Sequence, residues 1–578
     1  MRSGYGALVG LLCFGVGCSS PESPSMATGG SNASGGRTTS GSQGGQPGTA
    51  TGGVTSSGGL AQGGAAGSFG AGAGQDATGG TAGASVSTAG RGGGSEGGGA
   101  GSTSPGGTSN GGTTTAGGAT DRGGTGGGSN AQGGSGTSGA GTSGQAGSGG
   151  QGGGVTAPIA ETVPIAKVWS GHPVGFYLLT HKDRQFVAFY DENRALTVGV
   201  RKLGSRDWQL TKLATSVGWD SHNDIVMAVD STDILHVAGN MHSSALIYFR
   251  SKSALDPSTL ERVTNMVGKD ETACTYPQFF LDSRGELVFM YRSGESGNGN
   301  HIFNSYDTQT KQWSRLLNSA LTDGQGQRNA YPVGPIQGPD GFWHLVWVWR
   351  ETADARTNHD LSYARTQDLK VWQSAAGKTL NLPITLASSD IVDAVPQNAG
   401  MINNNTKVGF DSMKRPIVAY HKFDAAGNTQ LYNARFENGK WVSHLTSNWN
   451  YRWDFGGNGT LVFEIEVQPV ELQPDGTLTQ SFYHAKFGGL GAFRLNENTL
   501  ASEASIAPPV PYPADLAKVE SKEAGMEVRF RKDANASADP NLIYMLRWET
   551  LPSNRDQPRD PPYPAPSELR LYAFPIKR

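Results

Sequence analysis

Three polar segments in this 578-residue chain carry side chains able to move protons and hold an anion. Gly218-Trp219-Asp220-Ser221-His222-Asn223-Asp224 is a polar turn leading into an apolar strand, and Gly239-Asn240-Met241-His242-Ser243 follows one. Thr275-Tyr276-Pro277-Gln278-Phe279-Phe280 precedes Met290-Tyr291-Arg292-Ser293-Gly294-Glu295-Ser296-Gly297-Asn298-Gly299. His222 and His242 are twenty residues apart, and Tyr276 and Arg292 sixteen. An imidazole titrates near neutrality and can accept or donate a proton, and a phenol can donate one. A guanidinium can grip a carboxylate through paired N–H donors. Each type also has a plainer use. A lone histidine near a strand end, such as His236, His344, His421 or His484, is ordinarily a hydrogen-bonded structural residue. Tyr276 before a proline would pack an edge, Arg292 would bridge neighbouring units, and Asn298 in its Gly-rich turn is expected to take positive φ as a structural residue.

The elements that would position these residues form a repeat. An apolar, aromatic-rich strand, a polar turn and a second strand recur, with a Trp or Leu closing the unit. The phrase occurs at Gln185–Tyr190, Ile234–Gly239, Glu286–Tyr291, Phe342–Trp347, Arg415–Tyr420, Leu478–Tyr483 and Asn541–Leu546, at spacings of 49 to 73 residues. Trp208, Trp313, Trp372 and Trp441 close units. No helical apolar period persists. A β-propeller blade takes about 40–50 residues and must stack on its neighbours to bury its faces. The expectation is an all-β fold, a seven-bladed β-propeller over 158–578, with six or eight blades as the alternatives because the last two copies are irregular.

The rest of the chain is of another kind. Of 86 glycines, 57 lie in the first 154 residues, while all 12 tryptophans lie beyond them. From Gly29 to Gly154 the chain is mostly Gly, Ser, Thr, Ala and Gln with one aromatic, Phe69, so it has too little apolar surface to offset backbone entropy. A disordered Gly/Ser/Thr-rich linker over 19–157 is expected, with a coil span of about 60 Å over its Gly-rich stretch. Residues 1–18 read as a secretory signal: Arg2 precedes the apolar run Ala7–Val16, which lacks the ~20 residues of a membrane span. The run ends Gly15-Val16-Gly17-Cys18, similar to a bacterial lipobox except that Gly15 stands where Leu is usual, so Cys18 is the candidate lipidation site. Ordinary cleavage near Ser20 is the alternative. The expected address is an exported outer-membrane or cell-surface lipoprotein, otherwise a secreted protein, and a monomer that meets membrane only through that anchor. Cys274 is the one cysteine beyond the linker, so no disulfide staples the folded part. A net charge of −3 without a basic stripe argues against nucleic acid as partner.

The Tyr276-Pro277-Gln278-Phe279 phrase, the run Phe289-Met290-Tyr291-Arg292-Ser293-Gly294-Glu295-Ser296-Gly297-Asn298-Gly299, and Asn358-His359-Asp360-Leu361-Ser362-Tyr363-Ala364-Arg365 resemble the BNR-type repeat proteins that include the ulvan lyases of polysaccharide lyase families 24 and 25. The resemblance runs from about Val168 to Trp453 and weakens beyond. It implies a seven-bladed propeller that cleaves a rhamnose-rich, uronate-containing anionic polysaccharide by β-elimination. Those lyases use two histidines about twenty residues apart, then a tyrosine and an arginine sixteen apart, which carries the roles onto His222, His242, Tyr276 and Arg292. His222 and Tyr276 become the catalytic acid and base, in either order. Arg292, His242 and Asn223 become substrate-binding, with Arg292 neutralising the uronate carboxylate. No cofactor is required by this chemistry. A structural zinc or calcium ion is conceivable, because Cys274 and several histidines share the domain, but no Cys/His spacing supports one.

Two other functions compete. A sialidase-type glycoside hydrolase shares the repeat, yet Thr366-Gln367-Asp368-Leu369-Lys370-Val371-Trp372 lacks the Gly and Thr of an Asp-box, and no carboxylate pair can be assigned. A non-catalytic carbohydrate-binding or adhesion propeller would suit a surface tether equally well.

Overall fold

A computed structural model describes residues 158–578 except 511, 536–538, 540 and 577–578. The leader at 1–18, Cys18 and the linker at 19–157 lie outside the described residues. Within them the fold is all-β, with four short 3₁₀ turns and no α-helix. No helix there is long and apolar enough to cross a membrane.

The strands assemble into six sheets. Five are four-stranded. The sixth has nine strands and consists of two four-stranded antiparallel units joined by one parallel pair, Gly299 with Asn329, with Asp390–Asp393 added beside Asn358–Thr366. Each of the seven recurring phrases lands on the second strand of a four-stranded unit: Arg184–Tyr190, Leu235–Gly239, Leu287–Glu295, Trp343–Arg350, Pro416–Phe423, Leu478–His484 and Leu542–Thr550. Trp313, Trp372 and Trp441 lie on fourth strands, and Trp208 directly precedes one.

Most of these second strands have runs of consecutive buried residues because both of their faces are covered, whereas Leu478–His484 alternates buried and half-buried positions. Every residue of Trp343–Arg350 is buried. The core is accordingly a series of clusters between consecutive units. Phe186, Ile225, Leu546 and Leu571 share one; Tyr248, Phe289 and Trp313 share the next; Met290, Phe303 and Trp343 share a third. The last unit joins the first and last strands of the described residues. Glu161–Val168 pairs antiparallel with Ser567–Pro575 and occupies the place that the fourth strand fills elsewhere.

Burial also sets an acid limit on stability. Burial, the largest cause in each case, pushes His172, His242 and His484 down to about 4 and His301 and His421 down to about 3. An unfolded chain protonates these rings near 6.5, the folded chain only near 3–4, so unfolding takes up protons between those limits. The stability they contribute is complete above about pH 6.5 and is lost as pH falls toward 4. Asp224, Asp390 and Asp533, raised by burial, act in the opposite sense. His421→Leu should therefore flatten the decline of the thermal midpoint between pH 6.5 and 4 relative to wild type, by roughly several degrees over that range. Parallel pH profiles for the two proteins in scanning calorimetry would refute the linkage.

Candidate active site

The antiparallel ladder brings the two histidines together. Ile225 pairs with Gly239, so the turn entering Ile225–Val229 and the turn leaving Leu235–Gly239 emerge at the same sheet edge. His222 lies three residues before that pair and His242 three after it. Both rings turn onto Asp220. Its Oδ1 accepts from the His222 backbone N–H at 2.9 Å and from His222 Nδ1 at 2.6 Å, while Oδ2 accepts from His242 Nδ1. The imidazoles stack, with centroids 4.1 Å apart and planes at 22°. Burial opposes ionisation of Asp220, but the hydrogen bonds and charges of both histidines hold its carboxyl well below the usual range. His242 is lowered by burial first, then by His222, against the pull of Asp220, and is neutral at neutral pH.

Tyr276 and Arg292 meet for a similar reason. Thr275 is the register partner of Arg292, and the ladder slips between Thr275 and Gln278. This bulge takes Tyr276 out of the pairing with φ 56°, a left-handed conformation that costs an aromatic residue energy and that recurs at functional sites. The phenol ring lies 5.1 Å from the Arg292 Cζ and 6.1 Å from the His222 ring. Ser244 bridges to Cys274, which ties the His242 turn to this strand.

Arg292 is fully buried, yet it pairs with no carboxylate among the described residues. Its Nη2 donates to Thr275 Oγ1 at 2.8 Å and Ser243 Oγ at 3.0 Å, both neutral acceptors. Its Nε and Nη1, the Tyr276 hydroxyl and His242 Nε2 have no hydrogen-bond partner among the described residues. Buried donors left this way are costly unless a ligand uses them. A Cβ on Gly299 would sit 3.1 Å from the Arg292 side chain and 3.0 Å from Asn329 Oδ1, so a larger residue there would press on both side chains. The positive φ in this turn falls on Gly294 and Gly297, while Asn298, expected to carry it, opens the strand Asn298–Asp307.

Four of the five residues singled out from the sequence for catalysis or substrate binding thus gather. Asn223 follows His222 in the turn, but its visible role is through its carbonyl, which accepts from the Tyr190 hydroxyl at 2.7 Å. Sequence reasoning missed Asp220 as the shared partner of both imidazoles. It also missed Ser243 and Thr275, which seat Arg292, and the fully buried Asn329, whose side-chain polar atoms have no protein partner. Only the Asp220-x-His222 spacing carried a local signal, since a short acidic side chain commonly caps the N–H two residues on.

Among the described residues, one group has ligand atoms close enough to hold a metal ion: Asp220, His222 and His242, within 4.8 Å of one another. A cation there would have to displace the Nδ1 protons that now point at Asp220. Cys274 has no part in it; burial, the largest cause, pushes its thiol up to about 12.

Residues 184–449 match the BNR repeat-containing family. A short-isoform ulvan lyase of Alteromonas sp. (strain LOR) is 34% identical over 85 residues, 14% of this chain and 16% of that protein. A long-isoform ulvan lyase of Glaciecola sp. (strain KUL10) is 35% identical over 60 residues, 10% of this chain and 6% of that protein. The chain therefore spans less than one-fifth of the length of these relatives. A solved ulvan lyase of polysaccharide lyase family 25 is 12% identical and superposes with a TM-score of 0.50 over 72% of this chain and 96% of that one, a likeness of fold. The resemblance to BNR-type repeat proteins and ulvan lyases seen in the motifs is thus found again, over residues 184–449 for the repeat family and over short stretches for the ulvan lyases.

Proposed function

We propose that this chain, with BNR-type repeats over 184–449, is a polysaccharide lyase that cleaves a uronate-containing, rhamnose-rich polysaccharide of the ulvan kind by β-elimination. We take the seven four-stranded units as the blades of one propeller, closed where Glu161–Val168 completes the last unit. The observation that carries the functional reading is the gathering of His222, His242 and Tyr276 beside a buried Arg292 that has no counter-ion and unused donors among the described residues.

In this reading the uronate carboxylate takes Arg292 Nε and Nη1, which removes the negative charge opposing loss of the C5 proton. Asp220 keeps the His222 proton on Nδ1, so Nε2 carries the lone pair and acts as base. The C5–H electrons form the C4=C5 double bond, the C4–O bond breaks, and the departing glycosidic oxygen takes the Tyr276 proton. The His222 proton then returns to the Tyr276 phenolate. Neutral His242 accepts from a sugar hydroxyl and holds the His222 ring by stacking. The products are an unsaturated uronate end and a free hydroxyl end, with no water consumed. The exported, Cys18-tethered monomer expected from the leader would bring this site to a polymer outside the cell; mass spectrometry of the mature N-terminus tests that placement.

The experiment is digestion of ulvan by the purified full chain, followed by ultraviolet absorbance and by end-group assay. The expected result is absorbance rising in step with new chain ends. New ends without absorbance would mean hydrolysis, and binding without new ends on any uronate polymer would leave a carbohydrate-binding propeller.

A further inference from the structure

Beside the Asp220 turn lies a cation that the reaction does not use. Trp169, Trp219 and Tyr563 come from three separate segments, and their rings meet edge to face at centroid distances of 5.4–5.5 Å. The Arg194 guanidinium lies among them, 3.9 Å from the Trp169 ring, 4.6 Å from Trp219 and 5.7 Å from Tyr563. Arg194 stands at φ 67° in the turn after Tyr190, and its backbone N–H bonds to Asp191 O. Of the two carboxylates in that turn, Asp191 pairs with Lys212, and Glu192 forms no ion pair with Arg194. The guanidinium itself makes no ion pair and no hydrogen bond to the described residues. Three aromatic rings surround it, and its planar set of donors is left unspent among the described residues.

An arginine serving only to cement loops ordinarily spends its donors on nearby carbonyls, as Arg555 does on Gly456 and Asn458. Arg194 spends none, although its side chain is only half-buried. Tyr563 is 44% exposed and offers a ring face beside it. The platform is also coupled to the catalytic turn. Trp219 is the neighbour of Asp220, His172 packs on Trp219 at 5.5 Å and accepts from Trp169 Nε1, and Asp556 of the Tyr563 segment accepts from the Ser221 N–H at 3.0 Å. A flat cation framed by aromatic rings suits a sugar that bears an acidic group: the rings take its apolar face and the fork takes the anion.

We propose that Arg194, Trp219 and Tyr563 form an accessory subsite for an acidic sugar unit of the polymer, away from the unit whose bond breaks. The proposal takes the polymer's identity from the lyase reading, but the binding it describes stands apart from catalysis. Two acidic groups share the required chemistry, a ring carboxylate and a sulfate ester, and the test separates them.

Affinity electrophoresis of full-length Tyr276→Phe protein in gels containing ulvan, desulfated ulvan or carboxyl-reduced ulvan measures binding without turnover. Adding Arg194→Ala should weaken retention by ulvan about tenfold, the value of one charge-assisted contact, and Arg194→Lys should recover part of it. The polymer on which Arg194→Ala ceases to matter identifies the group: the desulfated form points to sulfate, the carboxyl-reduced form to uronate. In the otherwise wild-type chain, Arg194→Ala and Tyr563→Ala should raise KM with kcat within about twofold. Tyr563→Ala removes only an exposed ring and covers the case in which Arg194→Ala fails to fold. Retention within twofold of the parent, an equal loss for the distant surface variant Arg284→Ala, or no retention of the parent by any of the three polymers would overturn the subsite. A chain that forms no unsaturated uronate yet loses retention with Arg194→Ala would overturn the lyase reading and uphold this one.

Discussion

Tyr276→Phe is expected to lower kcat on a uronate polymer by about 10²–10⁴-fold while leaving the thermal midpoint unchanged or slightly raised. The two halves of this prediction share one cause. The Tyr276 hydroxyl is buried without a protein partner, so deleting it removes an unsatisfied polar atom and keeps the ring that packs against Arg292, His222 and Tyr331. The fold loses nothing, and in the lyase reading what disappears is the proton needed by the departing sugar oxygen. A tyrosine retained for packing alone would give a fully active Phe variant. Parallel measurement of kcat, KM and melting separates the two cases, and a variant within threefold of wild-type turnover would eliminate Tyr276 as the acid.

Asp220→Asn should cost roughly as much, about 10²–10⁴-fold in kcat, through positioning alone. Asp220 accepts from Nδ1 of both histidines with two oxygens. An asparagine presents one oxygen and one amide, and the amide must face an imidazole lone pair. At least one ring is then driven into the tautomer with its proton on Nε2: on His222 this spoils the base, on His242 the acceptor of the sugar hydroxyl. Because Asp220 raises the His242 pKa, its loss should also move His242 further down, so the activity of the variant should have an altered acid limb as well as a lower plateau. Asp220→Glu, which keeps two oxygens on a longer arm, should recover part of the activity. A merely structural Asp220 would lower the thermal midpoint of Asp220→Asn without changing the shape of its pH–rate profile.

Much of the fold was legible because a strand covered on both faces has a local signature. All seven recurring phrases fell on second strands, down to the irregular copies at Leu478–Tyr483 and Asn541–Leu546. The site was legible in part. His222, His242, Tyr276 and Arg292 sit at offsets that an antiparallel ladder converts into proximity, since residues on either side of a pair such as Ile225 and Gly239 must emerge together. Asn223 shows how far that goes: being next to His222 in sequence places its carbonyl, and leaves the direction of its side chain to the packing around it.

The sequence by itself determined the strand repeat and the types of group available for chemistry, because composition and local period govern both of them. Only the tertiary structure decided which groups share a partner. The pairing of Glu161–Val168 with Ser567–Pro575 joins residues some four hundred positions apart, and no local pattern encodes it. The double use of Asp220, the left-handed Tyr276, the buried Arg292 without a counter-ion and the aromatic frame around Arg194 depend on loops that meet when neighbouring sheets pack. Such contacts arise from the way sheets pack on one another, which no single segment contains.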